Sequence, residues 1–148
     1  MDIKIKTFEE LTKEELYLLL QLRSEVFVVE QDCVYQDIDG KDEKAHHVLG
    51  FKEDKLVAYT RVFKSGDYFK EASIGRVVVQ ESQRRFKLGF TIMQASIAFT
   101  KERLQEKSIH ISAQCYLIGF YESLGFEAKG EEYLEDGIPH VGMYLVVS

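Results

Sequence analysis

The sequence predicts one α+β domain spanning residues 1–148. Three observations predict it. The chain has 148 residues with 45% hydrophobic and 30% charged side chains, a globular balance at the length of one ordinary domain. Segments of strand-like alternation are interleaved with segments of helical period. No internal repeat, low-complexity tract or linker interrupts them, and the sole proline is Pro139.

Ile3 to Phe8 alternates apolar and basic residues (Ile3 and Ile5 against Lys4 and Lys6), which predicts a first strand. Thr12-Lys13-Glu14-Glu15 carries the capping-box pattern before an apolar run, so a helix is expected from about Lys13 to Val28. A polar loop follows, Gln31 to Lys44. His47 to Phe51 and Leu56 to Phe63 read as strands, joined by Lys52-Glu53-Asp54-Lys55 as a hairpin. Ser65-Gly66-Asp67 breaks the pattern. Ile74 to Val79 is β-branched and apolar on both parities, which predicts a central strand buried on two faces. Leu88, Ile92, Ala95 and Phe99 recur at helical spacing, and the helix is expected to run to about Glu106. Ser108 to Ser112 reads as a strand, and Tyr116 to Leu124 as a short helix ended by Gly125. Phe126 to Tyr133 and His140 to Val147 close the chain as strands around the turn Glu135-Asp136-Gly137.

Bulk properties narrow the function. The opening residues lack the apolar core of a signal peptide, and no stretch approaches the roughly 18 apolar residues of a membrane-spanning helix. Cys33 and Cys115 are far apart and match no metal or redox spacing, as expected of reduced thiols in a cytoplasmic protein. No metal is expected. A net charge of -6 argues against nucleic acid as the partner. The charge is uneven: Arg84, Arg85 and Lys87 stand together, while acids crowd Glu30 to Glu43 and Glu131 to Asp136. A basic spot in an acidic chain suits a small anionic ligand, and the acidic remainder suits a cationic substrate or is simply a solvated face.

The informative segment is Ile74-Gly75-Arg76-Val77-Val78-Val79-Gln80-Glu81-Ser82-Gln83-Arg84-Arg85-Phe86-Lys87-Leu88-Gly89-Phe90. A strand runs through a polar turn with two arginines into a helix. The first turn of a helix carries unpaired N–H groups and the positive end of the dipole, which makes it an anion site. Gly89 would admit a phosphate close to the backbone. The residues themselves leave ligand binding and plain structural use both open.

This segment resembles the acetyl-CoA-binding motif of the GNAT superfamily of N-acetyltransferases, Gln/Arg-x-x-Gly-x-Gly/Ala after a strand of alternating Val/Leu. Arg84, Leu88 and Gly89 fit, while Lys87 stands at the first glycine; helical φ/ψ at Lys87 with an outward side chain would keep its N–H usable. Downstream, Phe120-Tyr121-Glu122-Ser123-Leu124-Gly125-Phe126 resembles the family's Tyr-Glu-x-Leu-Gly-Phe signature. The segments Leu22 to Gln31, Tyr35 to Gly40, His46 to Gly50 and Glu135 to Met143 are similar to the ElaA-like branch. The resemblance implies a three-layer fold with a mixed, mostly antiparallel sheet that splays open between Ile74–Val79 and Ser108–Ser112.

It implies an activity as well: transfer of an acetyl group from acetyl-CoA, as co-substrate, to a primary amine of a small molecule or a protein. Backbone groups of Val77, Val78 and Val79 would pair with the pantetheine arm. The stretch Arg84, Arg85, Phe86, Lys87, Leu88, Gly89 and Phe90 would hold the pyrophosphate. Tyr121 would protonate the departing thiolate. Glu30 is the preferred base, with His46, His47 and His140 as other candidates. Tyr35, His46, His47 and His140 are expected on the acceptor side. His46 and His47 are adjacent on a predicted strand and must point to opposite faces, which argues against a paired-histidine metal site. The competing reading is a non-catalytic acyl-CoA-binding domain of the same fold. No membrane or nucleic-acid partner is expected, and a homodimer is the default assembly.

Overall fold

A computed structural model describes residues 1–148. Strands β1 (Asp2–Thr7), β2 (His46–Lys52), β3 (Lys55–Phe63) and β4 (Ser73–Val79) form an antiparallel sheet in that order. Strands β5 (Ser108–Gln114), β6 (Glu127–Glu135) and β7 (Ile138–Val146) form a second, ordered β5-β7-β6. The two meet where Ala72 bridges Ile109 in parallel and the His110 amide donates to the Ala72 carbonyl at 2.8 Å. Beyond that contact β4 and β5 pair with different partners, and a cleft opens between them. This is the arrangement that the family resemblance implies, a mostly antiparallel sheet splayed open between β4 and β5.

Helices α1 (Lys13–Arg23) and α2 (Leu88–Glu102) cover opposite faces of the larger sheet, and α3 (Ile118–Glu122) lies after β5. Strand alternation divides the side chains. Val48, Ala58, Val62 and Ile74 meet Ile92 and Met93 of α2, while Leu49, Tyr59 and Val78 meet Leu19 and Leu22 of α1. Thr60 on β3 shares a hydrogen bond of 2.6 Å with Ser96 on α2, which satisfies both buried hydroxyls. No helix is long and apolar enough to cross a membrane.

Local chemistry explains the boundaries. Thr12 caps α1 through its side chain, and Glu15 answers to the Thr12 amide at 2.9 Å, completing the capping box. Both hairpin turns place two residues in the left-handed region, Glu53 and Asp54 in one and Asp136 and Gly137 in the other. That pair of conformations matches the right-handed twist of the flanking strands.

Four expectations need correction. The α-helix stops at Arg23 rather than Val28, and Ser24–Glu30 winds as a π-helix, with the Gln31 amide reaching back to Val26 and that of Cys33 to Val28. The wider turn leaves Val26 in the core while Phe27 and Glu30 line the cleft. Helix α2 ends at Glu102 because Gln105 turns left-handed (φ 55°), a stop that no glycine announces. Strand β4 is not buried on both faces: Ser73, Ile74 and Val78 are buried, and Gly75, Arg76, Val77 and Val79 are half-buried beside the open cleft. Lys87 is left-handed (φ 57°, ψ 32°), not helical, and so occupies the conformation that suits the glycine it replaces.

The acidic loop is likewise not a solvated face. Asp42 Oδ1 accepts from Arg23 at 2.8 Å and from Arg61 at 3.0 Å. Asp37 accepts from Arg23 Nε at 2.9 Å, and Asp39 takes both terminal nitrogens of Arg61 at 2.9 and 2.8 Å. Arg76 Nε lies 2.7 Å from Asp37 Oδ1, an ion pair not aligned as a hydrogen bond. Burial raises the Asp39 carboxyl, but the hydrogen bonds and charge of Arg61 outweigh it and hold the group at about 2. These aspartates are neutralised internally and are not free to attract a cationic substrate.

Candidate active site

The cleft between the sheets has a volume of about 880 Å³. One wall is β4, and its geometry follows from a bulge. Tyr59 pairs with Val78 and Arg61 with Gly75, so Arg76 and Val77 together oppose the single residue Thr60. Arg76 takes a left-handed conformation (φ 48°) to make the extra residue fit, and its guanidinium anchors to Asp37 and Asp39. The bulge leaves Arg76 and Val77 outside the paired register, beside the cleft.

At one end β4 passes through a 3₁₀ turn, Glu81–Phe86, and left-handed Lys87 into α2. Amides of the first turn of α2 have no partner within the helix, and Gly89 and Phe90 line the cleft here. A Cβ at Gly89 would stand 3.6 Å from the Phe120 ring and from a Val79 methyl, in ordinary van der Waals contact with the cleft wall.

Arg84 is the charged group of this end, and it is engaged. Its guanidinium gives 2.5 and 2.9 Å contacts to the two oxygens of Glu30 and two of 3.2 Å to the Val79 carbonyl. The Glu30 hydrogen bond raises the Arg84 pKa. Glu30 therefore sits at the α2 end of the cleft with both oxygens committed to a cation.

Further along the cleft α3 presents Tyr121. The ring is buried against Phe120 and Phe126, and burial pushes the phenol up to about 12, so the group is protonated at neutral pH. At the far end stand Tyr35, Tyr68, Phe69, Ser112, Glu135 and His140.

The structure thus gathers Glu30, Tyr35, Val77, Val78, Val79, Arg84, Lys87, Gly89, Phe90, Tyr121 and His140 around one cavity. Five side chains lie elsewhere. His47 is fully buried between Tyr59 Oη at 2.6 Å and the Asp42 carbonyl at 2.9 Å, so it has no free nitrogen for a substrate. His46 points to the opposite face, as alternation requires, and packs on Phe99 with ring centroids 5.1 Å apart. Leu88 is a core residue. Phe86 is exposed, with Lys52 Nζ 3.9 Å from its ring centroid, and Arg85 stacks over the same ring at 4.7 Å. Sequence reasoning missed Tyr68, Phe69, Ser112 and Glu135. The hairpin turn Asp136-Gly137 was the one available signal, since it brings Glu135 beside Ile138 and hence near His140.

Comparison with known proteins agrees with this arrangement. The Acetyltransferase (GNAT) domain family matches residues 8–147. Protein ElaA of Escherichia coli is 48% identical over 136 residues, covering 90% of this chain and 89% of that protein. The crystal structure of an acyl-CoA N-acyltransferase from Pseudomonas aeruginosa superposes with a TM-score of 0.92 at 39% identity, over 98% of this chain and 99% of the other. The crystal structure of E. coli ElaA gives a TM-score of 0.90 at 44% identity, over 97% and 98%. The chain therefore belongs to the GNAT acetyltransferase family, in its ElaA-like branch.

Proposed function

We propose that this transferase takes its acetyl group from acetyl-CoA and passes it to a primary amine by direct attack on the thioester. The observation that carries the reading is the presence, in one cleft, of the N-terminal turn of α2 and a protonated Tyr121 that no protein group hydrogen-bonds. The first is suited to a pyrophosphate and the second to a leaving thiolate.

The residues divide the work by position. Amides of the first turn of α2, with the charges of Arg84 and Lys87 beside them, bind the diphosphate end. The bulged stretch of β4 offers Val77 to Val79 as a strand edge for an extended, amide-bearing arm. The thioester supplies an activated acetyl group, and the chain supplies placement, which is worth roughly 7–11 kcal/mol when both reactants are held in line. Tyr121 then gives its proton to the thiolate. Glu30 enters as the partner of Arg84, whose guanidinium it orients at the phosphate end. Cysteine usage favours a cytoplasmic setting for the reaction.

Titration calorimetry with acetyl-CoA tests the reading. Saturable one-site binding is expected, weakened by salt because the phosphates are held by charge. Absence of binding would overturn it.

A further inference from the structure

The acceptor end of the cleft contains a constellation that the reading above does not use. Gln114 and Tyr133 both pair with His140, and Ser112 pairs with Gly142, so these side chains share one face of the β5-β7-β6 sheet. Tyr133 stacks on His140, with ring centroids 6.1 Å apart and planes inclined by 22°.

His140 is held in one tautomer. Its Nδ1 lies 2.7 Å from the Ile138 carbonyl, which can only accept, so Nδ1 carries the hydrogen. In the neutral ring Nε2 then bears the lone pair, and it stands 3.4 Å from Glu135 Oε2. A hydrogen between Nε2 and the carboxylate can come from the ring itself or from a bound donor, so the pair can exchange a proton with a ligand that sits between them. The other oxygen of Glu135 faces Ser112 Oγ at 3.4 Å, and the Ser112 hydroxyl bonds that of Tyr133. The His140 side chain is 7% exposed and that of Glu135 is 47% exposed, so the nitrogen is enclosed while the carboxylate stands at the mouth.

We propose that Glu135 and His140 form the acceptor subsite, and that it takes a cationic primary amine. The proposal rests on the acetyl-transfer reading. Glu135 draws the ammonium in, and His140 Nε2 accepts one of its protons. The freed nitrogen lone pair forms the C–N bond as the C–S bond breaks. The thiolate takes the Tyr121 proton, and the second proton lost by the nitrogen restores Tyr121. One proton, carried by the imidazolium, is released for each acetyl group transferred. The charged and titratable groups around His140 are Glu135 and Tyr133 on β6 and Asp136 in the turn. Cys33, whose thiol meets the Asp136 carbonyl at 3.5 Å, and Tyr35 come from the facing loop, and Arg76 from β4 across the cleft.

The test is steady-state acetylation of aliphatic mono- and diamines across pH, with acetyl-CoA affinity measured on each variant. Glu135→Gln should raise the KM for amine about tenfold or more, because a charge-assisted contact is lost, and leave acetyl-CoA affinity within about twofold. His140→Gln should lower kcat/KM by about 10²–10⁴-fold and abolish the acid limb of its pH profile. A purely structural role for His140 would leave that limb in place and overturns the proposal. So does an unchanged amine KM in Glu135→Gln, whose exposed position keeps the variant foldable. Wild-type protein that acetylates uncharged arylamines but no cationic amine overturns this proposal alone; protein that acetylates no amine, or fails to bind acetyl-CoA, overturns the parent reading with it.

Discussion

Tyr121 is the residue on which the proposed chemistry turns. Its phenol is buried, protonated and without a protein partner, which is what a proton donor to a thiolate requires. Tyr121→Phe removes one oxygen and keeps the packing against Phe120 and Phe126. It should lower kcat by about 10²–10⁴-fold while acetyl-CoA affinity stays nearly constant, measured by thiol release and calorimetry. Glu30 makes a contrasting case. Its oxygens are both taken by Arg84, so Glu30→Gln should cost less than about tenfold in kcat, against the larger loss that removal of a general base entails. Its effect should fall on acetyl-CoA affinity, since the change releases Arg84. Lys87 stands left-handed where a side chain costs about 1–2 kcal/mol. Lys87→Gly removes that strain but enlarges the freedom of the unfolded chain, for a net gain of up to about 1 kcal/mol in urea unfolding.

Among the elements, the loop from Gln31 to Lys44 shows best where sequence reading stops. Its composition reads as polar and acidic, and nothing local tells an aspartate facing water from one facing arginine. The partners lie far along the chain: Arg61 is 22 residues from Asp39, and Arg76 is 39 from Asp37. Pairing across such separations is set by the sheet, which no window of sequence contains. The π-helical turn after Arg23 was hidden for a related reason, since its apolar residues continue the helical pattern while its hydrogen bonds change. By contrast, the start of α1 and the two hairpins were legible, because a capping box and turn residues such as Asp136-Gly137 act through neighbours. The ion network also gives the loop its stability. Asp42 serves Arg23 and Arg61 at once, so Asp42→Ala leaves two buried guanidiniums short of a partner. It should cost about 3–5 kcal/mol in chemical denaturation, with Arg23, fully buried, the most affected group.

At the scale of the whole molecule, the fold is two sheets joined at one corner, and the cleft is the consequence. The order of elements along the chain was readable from the sequence pattern, and the splay was implied by family resemblance. What sequence could not give was the far wall: Ser112, Tyr133, Glu135 and His140 converge only because β7 lies between β5 and β6. Global stability should depend on pH in a direction fixed by burial. Desolvation lowers His46, His47 and His110 from the ordinary 6.5, so the folded chain binds protons less readily than the unfolded one. Stability should therefore be full above about pH 6.5 and decline as pH falls through the folded values. A second loss should follow below the ordinary aspartate value of 3.8 as Asp39, held at about 2, and Asp42 are protonated. Melting temperatures across this range check both windows; a melting temperature that rises on acidification from pH 7 would contradict the assignment of buried neutral imidazoles.

The central claim is that the cleft joins a phosphate-binding helix end to an acid and an amine site. Amine-dependent release of free CoA thiol from acetyl-CoA by the wild-type protein tests it most directly. Release should saturate with a cationic primary amine, accompanied by one acetylated amine per thiol. Thiol release at the same slow rate with and without every amine, in protein that binds acetyl-CoA, would contradict it and leave a binding domain without transfer.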